Sequence, residues 1–226
     1  MTPSPASAPA DADAADAAGP PEDADTGAPL AHPRASRRRG QSLTRAIYLA
    51  TLNELAESSM EQLGFDKIAA RAGAGKASLY RRWDSPAELL LEALADPDTG
   101  FSEPAAPHTG SVESDLAAML TDFAEALDQP HGRALRPLMT RRPRHPELYE
   151  QVQRLVVQPR MDALLEILRE GERRGEVAPE AVTPRIASVA MHLLVAEHMA
   201  GAPIPRAEID AIISEVMVPL TAPRES

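Results

Sequence analysis

The stretch from Phe65 to Trp83 constrains the fold more than any other. Phe65, Ile68, Ala69 and Ala72 recur at helical spacing, the signature of one buried helix face. Gly73-Ala74-Gly75 follows. Glycine takes the left-handed backbone that closes a helix C-terminus. The spacing therefore predicts a helix, a tight turn and a second short helix from about Lys76 to Trp83. On that second helix Leu79 and Trp83 share a face and point inward, while Ala77, Ser78, Tyr80 and Arg81 lie around the other side. Two helices cross steeply only where the residues between them are small, and Ala69, Ala72 and Gly73 supply that closeness. This is a helix-turn-helix pattern, whose second helix protrudes far enough to enter a DNA major groove about 12 Å wide.

The charge along the chain agrees. The formal net charge is -11, which alone argues against nucleic acid. Its distribution reverses that reading. Residues 1–33 carry six acidic and no basic side chains, whereas residues 34–82 carry ten basic and four acidic ones, a net +6. The first 33 residues are Ala, Pro, Asp and Gly with almost no large apolar side chain, too little to offset the entropy of ordering. Residues 1–40 are expected to be a disordered acidic tail ending in a basic arm, Arg34, Arg37, Arg38 and Arg39. Such an arm is either a solvated charge run or a reach toward DNA phosphates or the minor groove. A first helix is read from the apolar set Ile47, Tyr48, Thr51, Leu52 and Leu55, ending at Ser58-Ser59. Ser85-Pro86-Ala87-Glu88 announces a fourth helix, with Ser as cap, Pro at the first position and Glu completing a capping box.

These residues resemble the DNA-binding domain of the tetracycline-repressor (TetR/AcrR) family. The matching motifs are Ile68-Ala-Ala-Arg-Ala-Gly73 and Lys76-Ala-Ser-Leu-Tyr-Arg-Arg-Trp83, with a first helix of the family's style from Ile47 to Glu57. The resemblance covers about residues 43–95 and implies that Ser78, Tyr80 and the start of the second helix touch DNA while Leu79 and Trp83 hold it in place. The chain departs from the family pattern at Gly64, where a capping Thr is common, and at Pro86, where Lys or Arg is common. Gly can cap but offers no side-chain phosphate contact. The basic arm or Arg45 would have to compensate. The full candidate DNA-binding set is Arg45, Gly75, Lys76, Ala77, Ser78, Tyr80, Arg81 and Arg82.

The remainder reads as helical too. Residues 96–110 are Pro-, Gly-, Thr- and Asp-rich and form a loop. Helices are expected over 111–128, around Pro137 within 130–144, from His145-Pro146 to Gly175 with a kink or split at Pro159, over 183–200, and over about 207–220. No alternating strand pattern appears, so the chain is expected to be all-α: a helix-turn-helix domain over 41–84 and a helical regulatory and dimerisation domain over 85–226. The helix over 183–200 is apolar almost all round and needs cover on more than one side. By family layout this helix and the last one pair with their counterparts in a second subunit as a four-helix bundle, through Val189, Leu193, Ile212 and Val216. The resemblance also implies an effector pocket in the middle helices, with candidates Met119, Phe123, Met139, Tyr149, Met161 and His192. Met adapts to varied apolar ligands, and aromatics are only 3% of the chain, so an aliphatic or mixed effector is expected.

Other functions find little support. There is no Cys, so disulfides, thiolate metal sites and cysteine nucleophiles are excluded. No apolar run is long enough to span a bilayer, and the N-terminus lacks the pattern of a signal peptide, so a soluble cytoplasmic protein is expected. His192 and His198 stand six apart, the wrong spacing for a helical metal pair, so no metal or cofactor is expected, and no enzymatic activity. The sequence reading is a homodimeric transcriptional regulator, in the first place a repressor, that binds a palindromic double-stranded operator and is released by a small-molecule effector. The alternatives are an effector-independent DNA-binding protein and a metal-dependent helical enzyme.

Overall fold

The computed structural model describes residues 33–140 and 144–223, and among them every regular element is a helix. The acidic segment before Pro33 lies outside the described residues. Helix α1 spans Pro33–Glu57, so it begins well before the apolar periodicity does. The run from Arg34 to Arg39 belongs to the first turns of this helix, so the helical region begins before the expected boundary at residue 41. Helices α2 (Phe65–Ala72) and α3 (Lys76–Tyr80) follow, then α4 (Pro86–Ala95). α1 packs on α2, on α4 and, most extensively, on α6 (Pro130–Thr140). α6 is one helix despite Pro137.

Local chemistry sets the helix boundaries. Ser85, Ser111 and Thr183 each accept a hydrogen bond from the amide three residues on, at 3.1–3.2 Å, which starts α4, α5 (Val112–Asp128) and α9 (Pro184–Ala200). At α4 the reciprocal bond of the capping box is donated by the Asp84 amide to the Glu88 carboxylate, one residue earlier than the usual partner. α7 (Pro146–Val152) leads into α8 (Gln158–Arg174) through a π turn at Gln153–Val157. α10 (Arg206–Ala211) leads into α11 (Val218–Thr221) through a second π turn at Ile212–Met217. Each π turn ends two residues before a proline, Pro159 and Pro219. A proline lacks the amide that closes an α turn and clashes with the carbonyl one turn back; a widened turn relieves both. The chain thus passes Pro159 without splitting.

One continuous core runs through the molecule. Ile47, Leu52 and Leu55 of α1 join Ile68, Leu79, Leu89, Leu90 and Leu94 around the first four helices, and Leu116, Leu120, Leu127 and Leu164 fill the second half. A buried ion pair ties α5 to the end of α8. The Arg174 guanidinium donates to Asp115 at 3.1 Å, and the Thr109 amide and hydroxyl donate to the same carboxylate at 2.6 and 2.8 Å. Burial alone would raise the Asp115 carboxyl; these donors together hold it below its usual range.

Candidate nucleic-acid interface

Gly73 decides the angle between α2 and α3. Its backbone is left-handed, with φ +64°. Its amide donates to the Ala70 carbonyl, and the Ala74 amide reaches back to the Ala69 carbonyl at 2.9 Å. This is the Schellman arrangement, which stops a helix and turns the chain away from its axis. α3 then starts at Gly75, whose carbonyl accepts from the Ser78 amide at 2.9 Å.

The two faces of α3 are sharply different. Leu79 is fully buried and Trp83, just beyond the helix, nearly so. Tyr80 is 63% exposed. Its ring meets Phe65 edge-on, with centroids 4.8 Å apart, so the exposed phenol is braced at its base by a buried residue of α2. Gly75, Lys76, Ala77, Arg81, Arg82 and Arg45 are all exposed, and Ser78 is half-buried.

The basic residues are not equivalent. Lys76 pairs with Asp66 of α2 at 2.8 Å. Arg82 lies over the Trp83 ring, 4.3 Å from its centroid, and donates to the Thr44 hydroxyl of α1 at 3.0 Å. It therefore clamps α3 to α1 as well as presenting charge. Arg71 is tied to Glu57, and to Glu54 at 3.5 Å. Behind α3 the Trp83 indole donates to Glu92 of α4, and the buried Tyr48 ring of α1 lies edge-on to that indole, centroids 6.3 Å apart. Burial, and then the neighbouring Glu92 carboxylate, push the Tyr48 phenol above its usual range. Glu92 thus joins α1, α3 and α4. A Glu in the second turn of α4 reads as solvated from sequence; only the spatial neighbours expose its role.

The remaining candidate residues fall in different places. Met119 and Phe123 are buried on α5; Met139, Tyr149 and Met161 are half-buried on α6, α7 and α8; His192 is exposed on α9. A cleft of about 240 Å³ between the loop after α4, α5, α6 and α8 is lined by none of these six. Its floor is Arg160, which the sequence reading did not single out. Val189 and Val216 are half-buried and Leu193 is exposed. Ile212, however, is buried within its own protomer. It packs inward from the second π turn and is removed from the candidate dimer face. His198 is also buried, with Nε2 3.2 Å from the Gly132 carbonyl of α6 and Nδ1 3.5 Å from the Arg136 guanidinium. Among the described residues no three His, Asp or Glu side chains cluster as metal ligands would, and no helix is long and apolar enough to cross a membrane.

Comparison with known proteins places this geometry. The model of bacterial regulatory proteins of the tetR family matches residues 47–93, and the tetracyclin repressor-like C-terminal domain matches residues 106–216. The chain belongs to the TetR family. It is a transcriptional regulator carrying a DNA-binding helix-turn-helix. It is 29% identical over 189 residues to the DNA-binding transcriptional repressor TetR of Mycobacteroides abscessus, covering 82% of this chain and 97% of that one. It is 32% identical over 139 residues to the HTH-type transcriptional regulator AqdR of Rhodococcus erythropolis, covering 62% and 66%. In fold it is similar to the TetR family transcription regulator SCO0332, with a TM-score of 0.56, 24% identity, and coverage of 77% and 96%.

Proposed function

We propose that this TetR-family chain is a repressor that binds a palindromic operator as a homodimer and leaves it when a small-molecule effector occupies its C-terminal half. The observation that carries the reading is the division of α3: Leu79 and Trp83 locked inward, Tyr80 and Arg81 presented outward. Arg81 and Arg45 neutralise phosphates or reach base edges, Tyr80 lays its hydroxyl and ring against the sugar-phosphate backbone, and Ser78 and the Gly75–Ala77 backbone approach closely.

Pairing of two copies is supported by apolar surface left on the last helices. Leu193 of α9 is 36% exposed, and Val218 and Leu220 of α11 are 38% and 46% exposed. A two-fold pair places two α3 helices on half-sites about 34–36 Å apart. Release is supported by the packing of α6, which rests on α5 and lies along α1. Glu61, in the turn after α1, adds a further bridge, pairing with Arg144 at 3.5 Å. An effector that binds one arrangement of these helices better than the other shifts the population of reading heads able to match the operator. Footprinting on the DNA upstream of the protein's own gene tests the reading. It is expected to protect a palindrome of two half-sites, with transcription rising when the gene is deleted. Absence of any protected palindrome, or transcription falling on deletion, contradicts it.

A further inference from the structure

Arg160 is a buried cation, 3% exposed. Among the described residues no carboxylate lies within ion-pair distance of it; Asp122 acts on it only from further away. One terminal nitrogen donates to the Val156 carbonyl at 2.8 Å and the other to the Ser102 carbonyl at 3.3 Å. Phe101 and Phe123 each lie against the guanidinium, at 4.8 and 5.1 Å. Burial lowers its pKa to about 10, partly offset by Asp122, so it remains charged at neutral pH. A guanidinium has five N–H groups, and two carbonyls leave donors over.

Arg160 lines the cleft of about 240 Å³ described above. The volume is below that of drug-sized pockets, so its occupant is small. Two carboxylates, Asp122 and Glu125, share the lining and are solvent-exposed. His131 also lines it. Its Nδ1 is 3.0 Å from the Thr99 carbonyl and so carries the proton, while burial lowers its pKa and keeps it neutral. A cationic floor under an anionic rim disfavours a dianion such as phosphate, and a simple cation would meet the floor charge. It complements a molecule carrying one charge of each sign.

The geometry points to a binding site for a small zwitterion of the α-amino acid class, its carboxylate on the Arg160 guanidinium and its ammonium toward Asp122 and Glu125. Such a ligand supplies the anion that the buried cation lacks and would bridge the loop leaving α4 to α5, α6 and α8. That it also releases DNA rests on the effector reading above; the binding itself does not.

The test is thermal denaturation of the full chain with each standard L-amino acid at about 10 mM, where even millimolar affinity registers. At least one is expected to raise Tm, and its analogues lacking either the ammonium or the carboxylate are expected not to. Asp122→Asn with Glu125→Gln, both at exposed positions, is expected to weaken that ligand at least about tenfold, and Arg160→Met to abolish it. If Arg160→Met fails to fold, the rim variant decides alone. No stabilising amino acid, or stabilisation unchanged in the rim variant, overturns the site. An amino acid that binds through Arg160 yet leaves the operator complex intact upholds the site and shows that this ligand is not the effector. Release by an uncharged compound with no amino acid binding overturns the site and upholds the effector reading.

Discussion

The indole of Trp83 donates to the carboxylate of Glu92, and the Tyr48 ring meets that indole edge-on, centroids 6.3 Å apart. The only tryptophan of the chain is thereby pinned at the junction of α1, α3 and α4. Removing its bulk leaves a cavity, so Trp83→Ala is expected to cost about 3–5 kcal/mol. Glu92→Ala strands the partly buried indole N–H of Trp83 and is expected to cost about 1–3 kcal/mol. Urea denaturation followed by circular dichroism checks both. Glu92→Ala should also change Trp83 fluorescence, whereas Glu113→Ala, at an exposed position on α5, should not.

The angle of α3 depends on Gly73. Its φ of +64° is disfavoured for any residue with a Cβ, so Gly73→Ala is expected to cost about 1–2 kcal/mol and to weaken operator binding by misdirecting α3. Gly64 is the opposite case. It caps α2 with extended backbone, φ −142°, and a Cβ there meets nothing within 4 Å. Gly64→Ser is expected to keep or slightly raise Tm and to tighten operator binding by adding a hydroxyl beside the backbone phosphates. Weaker binding would show that α2 does not approach DNA by its N-terminus.

The dimer face can be separated from the core. Leu193→Glu places a charge on exposed apolar surface. It is expected to yield a folded monomer by light scattering, with operator affinity lost through the missing second half-site. Ile212→Glu, at a buried position, is expected to unfold the chain instead. A dimeric Leu193→Glu protein would place the interface elsewhere.

Much of this was legible from sequence because its causes are local. Gly73, Ser85, Ser111, Thr183 and Gly175 act through the backbone within three or four residues, and each marks the boundary it was expected to mark. The inward turn of Leu79 and Trp83 follows from helical period alone. The start of α1 was missed because Arg34 to Gly40 has no apolar periodicity to announce a helix. Ile212 was misplaced because an apolar stripe says that something covers it, without saying whether the cover is its own chain or a second copy. Glu92, Asp115 and Arg160 were missed for one reason: a charged side chain reads as solvated until its spatial partners are known.

Acid should loosen the body of the protein before its reading head. Burial lowers the pKa of both His131 and His198, and Arg136 lowers the latter further. The unfolded chain then binds protons that the folded one refuses. Their contribution is full above the unfolded value of about 6.5 and is lost as pH falls below it. Tm is expected to drop from pH 7.5 to pH 5.5, with a shallower drop in His198→Gln. An equal drop in that variant would assign the acid sensitivity to other groups.

The most direct test of the account is the affinity of a fluorescent operator duplex, measured by polarisation across a salt series for the native chain, Tyr80→Ala and Arg81→Ala. Both variants are expected to bind more weakly, with Tm lowered by no more than the loss of the Phe65–Tyr80 edge contact, about 0.5–1.5 kcal/mol. Arg81→Ala is also expected to reduce the salt slope by about one per subunit. Native affinity and native salt slope in both variants would contradict the claim that α3 reads DNA with the face carrying Tyr80 and Arg81.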